Sequence, residues 1–359
     1  MQKKIIALAI AAAFSAPAMA DVTMYGIVDA AVVNVSASGQ KSDLLAYSGG
    51  LSGSRIGAKG AEDLDNGMKA VVVLEYALDT QSSDAIGVGA IPARQEMLAL
   101  AGGFGTVATG FLQTTGYDFA VKFDPTSGSA VSPLQNVTKG RFLIGTAAVA
   151  ARAPRALAYI SPDMGGVTVA VNYSTALGGL GNLTLGSGAT TGLKTTAMLL
   201  SATYTGVDKL VVGAVYADTA NSSTGAGGNG TTDLALGASY DLGVAKLMGT
   251  YQTSKVDNGT GTDKAISMTA VAPVGPGAVV FTYAKNTIAS TAAADSANGM
   301  TLAWLQGLSK TTTLYAAYSK MSQDSGTRAY SVIGNALAAP TLDLGGGSTL
   351  IAVGLKKAF

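Results

Sequence analysis

Two stretches of the chain carry charged side chains at a spacing that could act on ions. In GSRIGAKG, Arg55 and Lys59 alternate with Ile56 and Ala58. In GMKAVVVLEY, Lys69 and Glu75 share one parity, and Met68, Ala70, Val72 and Leu74 share the other. A period of two is that of a strand with one apolar and one polar face. Charges held at fixed spacing on a polar face can sort ions by sign without breaking a bond. The same rule turns Asp29 of VTMYGIVDAAV and Lys356 of IAVGLKKAF toward the polar side.

Other chemistries find no residues to carry them. Histidine and cysteine are both absent. That removes Ser-His and Cys-His catalysis, the usual zinc ligands and any disulfide framework. Asp63-Leu64-Asp65-Asn66-Gly67 opens like a calcium loop, but the twelfth position is Leu74, so a hairpin turn is expected. The glycines show no phosphate-loop spacing. No cofactor and no metal are therefore expected. The net charge is +1 and offers nucleic acid no attraction.

The elements that must hold these charges follow from composition. Hydrophobic residues make up 48% and charged residues only 13%, against about 25% charged in an average soluble domain. MQKKIIALAIAAAFSAPAMA has a basic start, an apolar run and an Ala18-Met19-Ala20 end. It reads as a cleaved secretory signal, residues 1–20, leaving 21–359 as one domain. Beyond it no apolar run reaches the roughly 18 residues of a membrane helix. Lipid admits only helices and closed barrels, so the expected fold is an all-β transmembrane barrel.

Sixteen alternating segments are legible, from 22–35 to 348–359, joined by gaps that are alternately short and long. The long gaps fall near 36–49, 80–92, 113–153, 176–194, 219–231, 257–263, 289–297 and 323–347. Strict alternation places every long loop at one end of an antiparallel barrel. The last strand is expected to close on the first, with Phe359 outward among interfacial aromatics that include Trp304. Asn182 and Asn221 begin glycosylation-like triplets that read as plain polar loop.

DVTMYGIVDAAV, SGGLSGSRIGAKGAEDLDNGMKAVVVLEY, LAGGFGTVATG, YISPDMGG, LGASYDLGVAKL and VGLKKAF occur in that order. Together they resemble the trimeric general porins of β-proteobacterial outer membranes. The resemblance implies a 16-stranded antiparallel barrel in a homotrimer, with short periplasmic turns and long extracellular loops. It implies passage of small ions and hydrophilic solutes across the outer membrane. It implies a third loop, near 113–153, folded inward, and contact with outer-membrane lipid and lipopolysaccharide. It implies that Arg55, Arg94 and Arg152 form the basic wall of a constriction, facing Asp118 and Asp124 of the inward loop. Phe359 resembles the signal read by the barrel-assembly machinery. One departure stands out: Phe111 follows GGFGTVATG where many relatives carry arginine, which points to weak anion selectivity. Arg155 is extra, with a parity that points away from the lumen. The competing reading is a structural or adhesive barrel with a closed pore. An outer-membrane enzyme is disfavoured by the absence of histidine.

Overall fold

The computed structural model describes residues 21–81, 93–139, 141–146, 148–175, 195–221, 230–257, 259–289, 295–324, 326, 330–333 and 342–359. The leader, Asn182 and most of the expected long loops lie outside them. The strands are β1 (Asp21–Ala37), β2 (Asp43–Ser48), β3 (Arg55–Asp63), β4 (Lys69–Ala77), β5 (Ala93–Gly102) and β6 (Gly105–Gln113). They continue as β7 (Arg152–Ile160), β8 (Val167–Ser174), β9 (Thr195–Val207), β10 (Leu210–Asn221), β11 (Thr231–Asp241) and β12 (Lys246–Val256). The last are β13 (Thr262–Val274), β14 (Gly277–Ile288), β15 (Asp295–Ser309), β16 (Thr312–Gln323) and β17 (Gly347–Ala358). Three short helices, α1 (Thr115–Phe123), α2 (Pro133–Thr138) and α3 (Ala148–Ala151), lie between β6 and β7.

Each strand pairs antiparallel with its sequence neighbour, and β1 closes on β17 from Ile27↔Ala358 to Ala37↔Ser348. β2 pairs with the upper half of β1 and β3 with the lower half, so together they form one barrel strand, giving 16 around the barrel. The chain thus departs from the expected long gap at 36–49. DLLAYS continues the ladder because Leu45 and Tyr47 turn inward onto the buried cluster while Leu44 points out. Between β2 and β3, residues 49–54 dip into the barrel. Gly49 adopts φ +90° there, and a Cβ on Gly50 would overlap the Tyr315 hydroxyl.

Closure places Phe359 outside, at the short-turn end. Its backbone exchanges hydrogen bonds with Gly26 (3.0 and 3.1 Å), and its ring covers the space a Gly26 side chain would need. The Asp65–Gly67 segment is a single 3-10 turn with Asn66 at φ +61°, a hairpin connection as expected.

Outward tyrosines form a girdle. Tyr173 on β8, Tyr216 on β10, Tyr251 on β12, Tyr283 on β14 and Tyr318 on β16 are each displaced from the last by two strands and two register steps. In a tilted barrel this stagger keeps a row at one depth. Nearer the short turns, Tyr204, Tyr240, Trp304 and Phe359 are also exposed. Amphipathic rings belong at the two membrane interfaces. The band between is aliphatic, with Leu200, Leu236, Ile266 and Leu302 outward.

The interior is filled from the loop between β6 and β7. α1 packs on β8–β12 and α2 on β13–β16, so the loop leans on one side of the barrel. Thr114 caps α1 by accepting from the Tyr117 amide at 3.1 Å, and Ser132 caps α2 before Pro133. Phe119 and Phe123, one helical turn apart with centroids at 4.9 Å, are buried against the wall. Gly213 and Gly237 leave room for the Phe123 ring, which any side chain there would strike. Leu134 and Val137 of α2 join Val33, Leu350 and Tyr315 in a second buried cluster. Each fully buried apolar side chain contributes about 1.5–3 kcal/mol. Tyr330, Val332 and Ile333, from the connection between β16 and β17, also turn inward, and the Ile333 amide reaches the Ala130 carbonyl at 3.4 Å.

Candidate functional site

The loop leaves open the wall it does not lean on. There Arg55, Arg94 and Arg152 line one cavity of about 390 Å³, closed on the loop side by Tyr117, Ser127, Gly128 and Thr146. Each arginine reaches it by a different device. Arg55 begins β3 directly after the dip at 49–54, and its Nη2 donates to Ser52 Oγ at 2.8 Å. Arg94 is the extra residue where the β4–β5 register breaks between Glu75 and Tyr76. Such a bulge re-aims a side chain. Arg152 is the first residue of β7, immediately after α3, and lies over the Tyr117 ring at 4.5 Å.

One carboxylate stands among the three guanidinium groups. Glu75 Oε1 accepts from Arg94 Nε at 2.7 Å and lies 3.9 Å from Arg55 Nη1. Its Oε2 accepts from the Tyr25 hydroxyl at 3.1 Å. Parity placed Glu75 in the lumen; its membership of the arginine cluster depends on the bulge at Arg94. The Nε atoms of Arg55 and Arg152 are buried with no hydrogen-bond acceptor among the described residues. Replacing Glu75 with glutamine is expected to strengthen the preference for anions severalfold. A larger chloride-side reversal potential in a KCl gradient checks this.

Asp29 differs from expectation. It faces inward but is fully buried and presents no charge to water. Its Oδ2 accepts from the Leu51 and Ser52 amides at 3.1 and 2.7 Å, and its Oδ1 from the Tyr315 hydroxyl at 2.6 Å. Asp29 thereby holds the dip that presents Ser52 and Arg55.

The two loop acids do not face the arginines across the cavity. Asp118 points toward a second cavity with Lys122, Thr168 and Thr203, and accepts from the Gln113 amide. Confinement inside the barrel raises its pKa, against the Gln113 hydrogen bond, Lys122 and Arg152. Asp124 is buried inside the loop, 1% exposed, and accepts from Thr126 N, Thr126 Oγ1 and Ser132 Oγ at 2.8, 2.6 and 2.7 Å. A side chain spent on its own loop has no surface left for ions. The loop side of the arginine cavity therefore carries hydroxyls and backbone in place of the expected acids.

Lys59 stands on the same inward face as Arg55 and Gly57, further toward the short turns, opposite Val73. Lys69 pairs with Asp63 at 2.7 Å on the exposed short-turn rim. Lys356 registers beside Asp29 and so faces inward. None of the three lines the arginine cavity. Phe111 pairs across the ladder with Glu96 and brings no cation. Tyr117 is a site residue that parity could not reveal, because it sits on a helix. The available signal was the capped, amphipathic TTGYDFAVKF pattern.

Comparison with known proteins agrees with this architecture. The model of the Gram-negative porin family matches residues 7–326. Outer membrane porin protein 32 of Delftia acidovorans is 31% identical over an alignment covering 100% of both chains. An anion-selective porin from Comamonas acidovorans superposes with a TM-score of 0.77 at 26% identity, over 95% of this chain and 100% of that one. The trimer form of OmpT from Vibrio cholerae has a TM-score of 0.64 at 18% identity, over 95% of this chain and 99% of that one, a likeness of fold. The chain belongs to the Gram-negative porins, channels of the outer membrane and not enzymes.

Proposed function

We propose that this porin passes small hydrophilic solutes and ions by passive diffusion and prefers anions through Arg55, Arg94 and Arg152. The observation that carries the reading is the convergence of three guanidinium groups on one cavity of about 390 Å³, with Glu75 the only carboxylate paired with them among the described residues. Like charges lining a narrow passage favour the opposite ion and repel their own kind. With no acid on the loop side, the cluster keeps a net positive charge. The anion-selective Comamonas porin is consistent with this sign. Single-channel recording in a planar bilayer under a KCl gradient tests it. A chloride-side reversal potential is expected; a potassium-side one overturns the arginine reading, and absence of conductance from folded protein points to the closed barrel.

Tyr117 supplies a second handle. Burial pushes its phenol pKa up, but Arg94, Arg55 and Arg152 pull it down further, so it falls below the ordinary tyrosine value. Ionisation adds a negative charge within the arginine cluster. The anion preference is therefore expected to fall reversibly on moderate alkalinisation, at a pH below that at which ordinary tyrosines titrate. Tyr117→Phe is expected to keep the preference across that range, as read from reversal potentials.

The assembly is inferred as a homotrimer joined through the β1–β5 wall. Its outward residues are mostly aliphatic, such as Val32, Val72, Leu74 and Leu98. On that wall Tyr76 donates to Glu96 at 2.9 Å. A carboxylate suits a protein contact better than hydrocarbon. Native mass spectrometry tests the trimer. Removal of residues 1–20 on export, and reading of Phe359 by the barrel-assembly machinery, complete the proposal.

A further inference from the structure

The second cavity, of about 520 Å³, lies inside the barrel between α1 and the wall of β7–β10, and shares no residue with the arginine cavity. Its wall is built in rows. Ile160, Ala170, Ser201 and Val215 register in line across β7, β8, β9 and β10. Thr168 registers with Thr203 two residues nearer the short turns. The cavity therefore sits on the short-turn side of the inward loop. Ile160 on the wall and Val121 on α1 are apolar yet 43% and 38% exposed within the lumen.

The other side of the cavity is α1. Asp118 and Lys122 stand one turn apart on its exposed face, and both line the cavity. Opposite charges at that spacing are neighbours and attract. Here no ion pair joins them among the described residues. Lys122 Nζ instead donates to Thr203 Oγ1 at 3.2 Å, across the cavity. Asp118 Oδ1 instead accepts from the Gln113 amide. Each charge is drawn to a different side, and each keeps capacity. An ammonium has three donors, and Thr203, having accepted, still has its own hydroxyl proton to donate. Thr115, in the first turn of the same helix, lines the cavity with its hydroxyl buried and without a partner among the described residues.

We propose that this cavity binds an aliphatic α-amino acid as its zwitterion, with the ammonium on Asp118, the carboxylate on Lys122 and Thr203, and the side chain on Val121 and Ile160. The site lies in the lumen, so it rests on the open-channel reading and names one class of solute for it. Three observations choose the class. A simple cation at Asp118 would stand one turn from Lys122, and a simple anion at Lys122 one turn from Asp118, so each would meet repulsion that a zwitterion turns into a second contact. A polyol would find the hydroxyls of Thr168, Ser201 and Thr203 but gain nothing from two opposite charges held apart. The exposed Val121 and Ile160 give an aliphatic substituent a surface that a purely polar solute would leave uncovered.

The test uses the full porin in a planar bilayer in KCl at neutral pH, with L-leucine, isopentylamine, isocaproate and sorbitol as probes. L-leucine is expected to interrupt the single-channel current reversibly, at least about fivefold more often than any of the other three at equal concentration. Asp118→Asn and Lys122→Gln are each expected to lower that frequency at least about fivefold. A solute held by the arginines instead would rank isocaproate first, which overturns the proposal. Equal interruption by the amine or by sorbitol overturns it too, as does undiminished interruption in both variants. Saturation-transfer NMR on the porin in detergent micelles ranks the same four solutes without current or substitution. It decides the site if the variants fail to fold, with transfer strongest at the leucine methyl groups expected and a different first rank overturning the proposal. Conductance in KCl alone keeps the two readings apart. A barrel that does not conduct fails the open-channel reading, while a conducting barrel indifferent to leucine in both measurements fails only this inference.

Discussion

The variant Arg55→Gln/Arg94→Gln/Arg152→Gln is expected to reverse the sign of the channel's selectivity. Removing three positive charges leaves Glu75, the carboxylate paired with Arg55 and Arg94, as the acidic side chain of the cluster among the described residues, and a lone carboxylate favours potassium. Unit charges about 4 Å apart interact by about 1 kcal/mol in water and about 4 kcal/mol at the lower dielectric of a protein boundary. Even the watery limit, summed over three charges and discounted for salt, corresponds to about a tenfold or larger fall in the chloride-to-potassium permeability ratio. The barrel should survive the change. The Arg94 and Glu75 side chains are 19% and 12% exposed, so losing their pair costs more than the roughly 0–1 kcal/mol of a surface ion pair but is a local loss within a closed barrel. Glu75 also keeps its hydrogen bond from Tyr25 at 3.1 Å. Reversal potentials in a KCl gradient at low and at molar salt provide the measurement. A ratio unchanged within about twofold would remove these arginines from the filter. Arg152→Gln alone should have the smallest effect of the three, since Arg152 is only 9% exposed and covered by Tyr117.

The barrel was legible because its signal is local. Alternation gave β3, β4 and β17 an inward and an outward face, and the family resemblance pointed to the longest gap as the loop that folds inside. What escaped depends on partners far apart in the chain. Nothing near Asp29 indicates that Tyr315 and the Leu51 and Ser52 amides will consume its carboxylate. Parity gives a side, and it cannot distinguish a water-facing charge from a buried one. DLLAYS was lost between Ser42 and the Gly49-Gly50 pair, which look like loop, although its own alternation was present. The inward loop posed the hardest case. The rule of two fails on helices, so Asp118 and Asp124 could be assigned to the loop but not to a direction. The helical signals were there, in Thr114 as cap, Ser132-Pro133, and Phe119 with Phe123 one turn apart.

Asp124 illustrates what such a misplaced acid does, and its removal should have the largest effect on the shape of the pore. It ends α1, and its carboxylate reaches Ser132, the cap of α2, while also holding Thr126. It therefore joins the half of the loop packed on β8–β12 to the half packed on β13–β16. Asp124→Ala leaves the Thr126 amide and the Thr126 and Ser132 hydroxyls buried without their acceptor, at about 1–3 kcal/mol for each that finds no water. A total of about 3 kcal/mol or more exceeds the stability of many local segments but not that of a closed barrel. The loop, and not the barrel, should loosen. Higher and noisier single-channel conductance is expected, with faster hydrogen exchange at the Thr126 amide and an unchanged unfolding temperature. Wild-type conductance together with wild-type exchange would refute this role. Acidification should not imitate the substitution. Burial raises the Asp124 pKa, against the hydrogen bonds from Thr126, Ser132 and Ser127. A carboxyl group with a raised folded-state pKa binds its proton more tightly folded than unfolded. The folded loop thus gains relative stability as pH falls through that raised value, and the gain is complete below the unfolded value. Mild acid should therefore leave the conductance low and quiet in the native channel, and the noisy state should appear only when the carboxyl group itself is removed.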